Sequence, residues 1–291
     1  MGVKKNKNLR KQRITLSLIM ISIFLIIIFG AIFVYLYSQN YINYGPTDMT
    51  IKTQEAENSI VQDADIILLN NILLGGTNGK EWISASRMYE KLIESHGEEI
   101  TMFSKEGNLG RYETASFKML DNVYYTKATK YPTPDEYIAV GNNKTEPIYM
   151  SPKEIETNTS DIKKVKNALG KYKWLNGSVK IVEAYQTSFA NGELGTIYSI
   201  TSDGGNIFGV YSAVVFSYGK EDYLIKYSYV KDTELSKAWP VYDIKHVVDI
   251  NCDGKNELIL QETTATEVTY LVEEYIDNGK FNEVLRVTID I

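Results

Sequence analysis

The residues best suited to chemistry lie in one short stretch near the C-terminus, where side chains that carry oxygen recur at alternate positions. Counting from Asp249, such side chains occupy loop positions 1, 3, 5 and 9, and a glycine occupies position 6. A hard cation such as Ca²⁺ binds about 6–8 oxygen ligands, and the glycine permits the sharp bend that turns alternate residues inward. The carbonyl of Lys255 would add a fifth protein ligand. The spacing therefore predicts a Ca²⁺ site formed by Asp249, Asn251, Asp253, Lys255 and Glu257.

A simpler interpretation of the same stretch is an Asp-Gly hairpin turn whose acidic side chains are solvated. An EF-hand is excluded, because its loop requires Glu at position 12, where this chain has Leu260. Four spaced oxygen ligands together with the glycine favour the metal site over the plain turn. Without a cation the carboxylates would repel one another, so a bound metal would stabilise the fold.

The loop belongs to the second of two similar halves of a strand-rich region. The pair Asn191-Gly192 lies 62 residues before Asp253-Gly254, and each pair is followed by an apolar segment and a later turn that contains Gly-Lys. The first copy has lost every acidic side chain, so we expect it to keep the turn and bind no metal. Because two copies are too few to close a propeller, the pattern predicts one compact antiparallel sheet system.

This loop and the strand that follows it resemble the calcium loops of FG-GAP/VCBS-type repeats, whose pattern is D-x-[DN]-G-D-G-x-x-[DE] followed by an apolar residue. Cys252 stands where the family usually has glycine, and a non-glycine residue would be strained there if the position needs a positive φ. The matching residues are Asp249, Asn251, Asp253, Gly254 and Glu257.

The wider arrangement resembles membrane-anchored surface proteins of clostridia-type bacteria, which share a Gly-Lys-Glu-Trp segment such as residues 79–82. The resemblance implies a cell-surface β module with one structural Ca²⁺, and it implies no reaction. The single cysteine excludes an intramolecular disulfide, which suits the outer face of a bacterium.

The first element along the chain is a long apolar segment, residues 14–38, with no charged side chain. As a helix it would span roughly 37 Å, enough to cross a hydrocarbon core of about 30 Å. Residues 1–13 hold six basic and no acidic side chains, and the positive-inside rule places this tail in the cytoplasm. No small-residue cleavage pattern follows the segment. The sequence therefore predicts a single-pass signal anchor with residues 39–291 outside the cell.

The predicted fold class is α+β and rich in strands, with a transmembrane helix ahead of the extracellular part. Within residues 70–150, the pair Asn78-Gly79 predicts a two-residue hairpin, and Ser84 is the predicted N-cap of a helix. Further on, Ser160 is the predicted cap of a basic helix, and Tyr223, Tyr227 and Tyr229 are predicted to share one sheet face. The predicted divisions are a stalk and helix (39–69), a small α+β unit (70–150), a linker and helix (151–178) and a two-repeat antiparallel β module (179–291).

Charge and missing motifs exclude several classes of function. Beyond residue 13, 25 basic residues face 37 acidic ones, a net charge of −12, which argues against a nucleic-acid partner. No nucleophile or metalloprotease motif is present, and the doublets Asp135-Glu136 and Glu273-Glu274 would point to opposite faces of a strand. We therefore expect no catalytic residues and a non-catalytic surface module that binds a protein or a cell-wall glycan. A membrane-anchored wall-acting enzyme is the alternative, and a subunit whose helix pairs in the membrane is a third hypothesis.

Overall fold

The structure is a computed structural model of the chain that describes residues 61, 63–93, 97–129, 136–141, 148–149, 152–170, 178–190, 192, 194–202, 209–231 and 241–291. Of these residues, 65% lie in strands, which confirms a β-rich chain with antiparallel sheets. The predicted anchor at 14–38 and the tail at 1–13 lie outside the described residues. Within them, no helix combines the length and apolarity needed to span a membrane.

The first sheet, called sheet A, is built from the N-terminal part of the described chain. Its strands are β1 (Asp65–Leu69), β2 (Ile72–Thr77), β3 (Trp82–Ser84), β4 (Glu99–Ser104), β5 (Gly107–Thr114), β6 (Lys118–Leu120), β7 (Val123–Tyr125), β8 (Ala128–Thr129) and β9 (Ile138–Gly141). They pair in the order β6-β7-β2-β1-β9-β4-β5-β8, and β3 pairs with β2. The helix α1 (Ala85–Leu92) follows β3 directly.

Two further sheets each consist of a four-stranded meander with one short strand added at the edge. Sheet B contains β10 (Ile148–Tyr149), β16 (Val241–Asp249), β17 (Glu257–Thr263), β18 (Glu267–Asp277) and β19 (Lys280–Asp290). Sheet C contains β11 (Lys153–Glu154), β12 (Val179–Ser188), β13 (Leu194–Ser202), β14 (Gly209–Tyr218) and β15 (Glu221–Lys231). Sheet B has the order β10-β16-β17-β18-β19, and sheet C has the order β11-β12-β13-β14-β15.

Sheets B and C pack face to face, because alternate residues of each strand are large and apolar. Phe189 and Phe216 of the sheet C side meet Leu258 and Leu271 of sheet B in one buried cluster. The opposite face of sheet C is covered by the helix α2 (Thr159–Leu169), whose Val165 packs among apolar residues of β12–β15.

The opposite face of sheet B packs on sheet A, and glycines permit the close approach. A Cβ added to Gly75 of β2 would lie 2.9 Å from Leu285 of β19, whereas one on Gly76 would lie 2.6 Å from Met88 of α1. Adjacent residues of a strand point to opposite faces, so α1 covers the outer side of sheet A. The layers are therefore α1, sheet A, sheet B, sheet C and α2. Residues 57–291 form one compact unit, and the predicted units 70–150 and 179–291 share one apolar core.

Three local predictions differ from the structure. The Asn78-Gly79 hairpin has a four-residue loop, since Thr77 pairs with Trp82 and the Asn78 side chain accepts the N–H groups of residues 80 and 81. The cap of α2 is Asn158 rather than Ser160, and its side chain accepts the Ser160 N–H at 2.8 Å.

The three tyrosines of β15 do not share a face. The strand pairing slips between Val214 and Val215 of β14, so one extra β15 residue is inserted. Tyr223 therefore packs toward sheet B, whereas Tyr229 packs into the cluster beneath α2. A β-bulge reverses the alternation that the sequence pattern assumes.

Candidate metal centre

The predicted metal loop connects two buried strands of sheet B. Strand β16 ends at Asp249 and β17 begins at Glu257, so both ends of the loop are fixed in the sheet. Between them, Cys252 has φ of 58° and Gly254 has φ of 86°. The position where the repeat pattern carries glycine is thus in the left-handed region, and the cysteine occupies it at a steric cost.

Asp249 organises the loop through its carboxylate. Its Oδ1 accepts the N–H of Asp253 at 3.0 Å, and its Oδ2 accepts the N–H of Gly254 at 2.9 Å. The residue is 3% exposed. Burial raises the pKa of Asp249, and the charge of Asp253 adds to this rise, while the backbone N–H groups oppose it.

Asp253 is exposed and Asn251 is half-buried in the loop. The Asp253 Oδ1 accepts the N–H of Lys255 at 2.8 Å, and the Asn251 Oδ1 accepts the N–H of Asp253 at 3.1 Å. These are turns closed by Asp and Asn side chains, a conformation that the turn interpretation also predicts.

Glu257 is the least expected member of the loop, because its carboxyl group is fully buried. Its Oε2 accepts the N–H of Ile250 at 2.7 Å, whereas its Oε1 has no hydrogen-bond partner among the described residues. Burial raises the pKa of Glu257 to about 9, and the charges of Asp249 and Asp253 act in the same direction. A buried carboxyl group in this position requires a proton or a cation.

Sheet A contributes residues that sequence spacing could not connect to this loop. The Trp82 Nε1 donates to Glu274 Oε1 at 3.0 Å, and the Asn251 side-chain amide donates to the same oxygen at 3.4 Å. A Cβ added to Gly79 would lie 3.4 Å from the Asn251 carbonyl oxygen. The Gly-Lys-Glu-Trp segment therefore lies against the loop, although about 170 residues separate the two in sequence.

The doublet Glu273-Glu274 is divided between two sheets. Glu273 accepts Lys226 of sheet C at 2.6 Å, whereas Glu274 accepts Trp82 of sheet A. This confirms that adjacent residues of the strand point apart. Asp135 of the other doublet lies outside the described residues.

The degenerate first copy packs directly against the predicted metal loop. Ala190 forms an isolated antiparallel bridge with Lys255, and the Asn256 N–H donates to the Phe189 carbonyl at 2.8 Å. The Asn256 side-chain amide donates to the Ser188 carbonyl at 2.7 Å. Gly192 keeps a positive φ of 70°, while Asn191 lies outside the described residues. The two loops thus pack against each other at one end of the sandwich that sheets B and C form, called the B–C sandwich.

The predicted ligands are oxygen atoms of the kind that bind a hard cation, but their present positions do not form a metal site. Across the described part of the chain, no three His, Cys, Asp or Glu side chains converge closely enough to hold a metal ion. The loop carboxylates accept backbone N–H groups instead, although each carboxylate oxygen has a second lone pair. A cation would require the exposed Asp253 to turn toward Asp249 and Glu257. Among the predicted side-chain ligands, Glu257 Oε1 is the buried oxygen that has no hydrogen-bond partner in the described part of the chain.

A second polar cluster joins all three sheets around His246 of β16. The ring is fully buried, its Nδ1 lies 3.1 Å from the Tyr149 hydroxyl, and its Nε2 has no hydrogen-bond partner among the described residues. Burial lowers the pKa of His246 to about 4, Lys105 and Lys245 lower it further, and Glu136 opposes them. The ring is neutral at pH 7, as expected for a structural histidine.

No protein-family model, curated protein or solved structure shows significant similarity to the chain. The geometry of the loop is therefore the main guide to function.

Proposed function

We propose that this chain is a membrane-anchored, extracellular, non-catalytic binding module that one structural Ca²⁺ stabilises. The anchor is residues 14–38 with the N-terminus in the cytoplasm, and the cation ligands are Asp249, Asn251, Asp253, Glu257 and the carbonyl of Lys255. Sheets B and C are the two repeats of the FG-GAP/VCBS-like module.

One observation supports the cation most directly: the fully buried carboxyl group of Glu257 has an oxygen without a hydrogen-bond partner beneath an acidic loop. Among the described residues, the Lys255 ammonium is turned away, since its Nζ donates to the Ile276 carbonyl at 2.9 Å. A divalent cation would offset two of the three negative charges of Glu257, Asp249 and Asp253, and its binding free energy would add to folding.

The experiment is thermal unfolding of the full-length chain in a mild detergent, with EDTA and then with Ca²⁺ or Mg²⁺. Extracellular Ca²⁺ modules bind at about 10⁻⁴–10⁻³ M, so the midpoint should rise across this range. At 100 times Kd the free energy of unfolding should increase by about 2.7 kcal/mol. Mg²⁺ should act weakly, because it prefers a smaller and more regular set of ligands.

Paired variants separate a bound cation from general charge screening. Asp253→Asn should abolish the Ca²⁺ response, whereas Asp290→Asn, the same change at an exposed residue outside the loop, should retain it. Glu257→Gln should stabilise the chain in EDTA, because an uncharged amide replaces a carboxyl group whose charged form burial disfavours, and should also abolish the response. A midpoint that is insensitive to Ca²⁺ in the parent chain would reduce residues 249–257 to a hairpin turn.

The alternative of a wall-acting enzyme needs two carboxyl groups that face one substrate. Glu273 and Glu274 contact different sheets, which supports the non-catalytic proposal. Release of soluble fragments from isolated cell walls by the full-length chain would favour the enzyme instead.

A further inference from the structure

A cavity of about 550 Å³ opens at the end of the B–C sandwich where the two loops meet. Strands β14 and β15 of sheet C form one wall, and the end of β18 forms the other. Its volume lies within the range of pockets that hold small ligands, roughly 300–1,000 Å³. It lies beside the metal loop, because Lys255 is one of its lining residues.

Aromatic rings form the floor and walls of this cavity. Phe189 and Phe216 are almost fully buried and pack edge to face with ring centroids 4.9 Å apart. Tyr275 stacks on Phe189 at 5.8 Å, and Tyr218 stacks on Phe216 at 6.2 Å. Tyr218 and Tyr275 are half-buried, so each presents part of its ring to the cavity. Because the floor rings hold both tyrosines, little side-chain entropy remains to be lost on binding.

The edge of the cavity is polar and balanced in charge. Asp277 and Asn278 are exposed at the hairpin tip, and the Lys255 ammonium is held against the Ile276 carbonyl. One acidic and one basic side chain therefore line the cavity, which gives no strong selection for a charged ligand.

These features suit a ligand with apolar faces and a periphery of hydroxyl groups. Strands β14 and β18 are paired on both sides, so they offer side chains rather than a free edge for an extended peptide, and the edge strand β15 lines the cavity only through Tyr223. Tyrosine combines a flat apolar ring with a polar tip, and a pyranose ring has the complementary arrangement. We propose that this cavity binds a neutral pyranose oligosaccharide, with Tyr218 and Tyr275 stacking on its sugar rings and Asp277 and Asn278 accepting and donating hydrogen bonds.

The inference deepens the proposed binding function by naming its ligand class, and it also connects the ligand to the loop. Asn256 holds the backbone of Phe189, the floor residue, and Lys255 reaches the cavity wall at Ile276. A cation that orders residues 249–257 would therefore order the cavity floor, and saccharide affinity should increase when Ca²⁺ is present.

The test is calorimetric titration of the full-length chain with chitotriose, cellotriose and maltotriose, in a detergent without a sugar headgroup that could compete. At least one trisaccharide should bind with 1:1 stoichiometry. Tyr275→Ala and Tyr218→Ala should each weaken binding by about tenfold, since each removes one stacking ring. Tyr227→Ala, which removes a 43% exposed ring on the opposite face of sheet C, should leave the affinity unchanged.

A tyrosine that supports Phe189 could also be needed for folding, so Asp277→Ala, a change at an exposed position, provides a second variant. It should weaken binding by about threefold or more through the lost hydrogen bonds, with the unfolding midpoint unchanged. The inference would be overturned by an absence of binding for all three sugars at about 10 mM. Binding that survives Tyr275→Ala, Tyr218→Ala and Asp277→Ala would also overturn it. A chain that binds the tripeptide alanyl-tyrosyl-alanine, used as a peptide control, and none of the three sugars would overturn it as well.

Titrations in EDTA and in Ca²⁺ distinguish the two proposals. Saccharide binding in a chain whose midpoint ignores Ca²⁺ would support the cavity and contradict the cation site. A Ca²⁺-dependent midpoint without saccharide binding would contradict the cavity alone.

Discussion

At the scale of single residues, the backbone of Cys252 bears a strain that a glycine would relieve. Its φ of 58° lies in the left-handed region, which costs a residue with a Cβ about 1–2 kcal/mol. Cys252→Gly should therefore increase the free energy of unfolding by about 0.5–1 kcal/mol, after the greater chain entropy of glycine is subtracted. Urea-induced unfolding of the two chains measures the change.

The matched control is Cys252→Ala, which removes the thiol but keeps the Cβ and hence the strain. It should leave the stability unchanged or slightly lower, because the contact of the Sγ with the Ile250 carbonyl is long, at 3.9 Å. Equal effects of Gly and Ala would contradict the backbone explanation and assign the cost to the sulfur atom.

His246 gives a second residue-scale prediction, which concerns pH. Its pKa is lowered to about 4 in the folded chain, against about 6.5 in an unfolded one. Between these values the unfolded chain binds a proton that the folded chain does not, so stability falls as pH decreases from 6.5 to 4. The contribution of this one group is about 3 kcal/mol. The measurement is urea unfolding at several pH values, and His246→Gln should flatten this part of the profile.

The groups that face His246 set the conditions of that test. Glu136 favours the charged ring and is itself paired with Lys245 at 2.9 Å and Lys105 at 3.6 Å, while Tyr149 contacts Nδ1. Tyr149→Phe removes only the hydroxyl and should preserve most of the pH dependence, because burial is the dominant cause. A profile with the same slope in His246→Gln and the parent chain would assign the acid sensitivity to the carboxylates.

Residue types and spacing could predict which groups form the loop, and the resemblance to the repeat pattern indicated strain at Cys252 if that position has a positive φ, as it does in the structure. They could not predict that Glu257 is fully buried. Glu257 opens an apolar run, Leu258-Ile259-Leu260, and in a strand covered on both faces even its first residue lies inside. That covering comes from sheets A and C, which local spacing does not reveal.

At the scale of elements, the start of α2 allows the predicted and observed caps to be compared directly. The Asn158 side chain accepts the Ser160 N–H, and the Asp161 carboxylate accepts the Asn158 N–H at 2.9 Å. Asn158→Ala should lower the free energy of unfolding by about 1 kcal/mol. Ser160→Ala, at the position that the sequence favoured, should have almost no effect. Chemical denaturation of both variants distinguishes them, and the reverse order would restore Ser160 as the cap.

Elements defined by turn residues and apolar alternation were predictable, including the helix after Ser84 and most strands beyond residue 179. The cap was missed because Asn158 and Ser160 are both good capping residues, and only the backbone at 158, which is extended, decides between them. The tyrosine face was missed because a bulge leaves no mark in the pattern of β15. Such features depend on the partner strand rather than on the segment itself.

At the scale of the whole molecule, the contact of sheet A with sheet B depends on Gly75. An added Cβ would lie 2.3 Å from the Ile83 carbonyl oxygen and 2.9 Å from Leu285. Gly75→Ala should therefore lower the free energy of unfolding by about 3 kcal/mol or more, through overpacking and backbone strain together. The measurement is denaturant unfolding followed by circular dichroism.

Gly107→Ala is the matched control for that prediction. Its φ of 131° is also positive, but nothing lies within 4 Å of the added atom. It should cost only about 1–2 kcal/mol, the backbone part of the effect. Equal losses in the two variants would show that the stacking of the two sheets tolerates the methyl group.

The order of the layers could not be predicted from the sequence, although most of the elements could. Local patterns predict a small N-terminal unit, a C-terminal β module and a linker in the polar stretch between them. In the structure residues of both regions enter one core, because β19 packs on β2 and β3. Contacts between segments this far apart depend on the shapes of whole sheets.

The layering has a consequence for how the protein is made. Sheet B lies between sheets A and C, yet all its strands except the short β10 come from the last part of the chain, residues 241–291. During synthesis the two outer sheets emerge first, and the face that each will turn inward has no apolar partner. The compact unit therefore closes only after residues 241–291 have been synthesised. A chain that stops before β16 would leave two apolar surfaces exposed to chaperones and proteases.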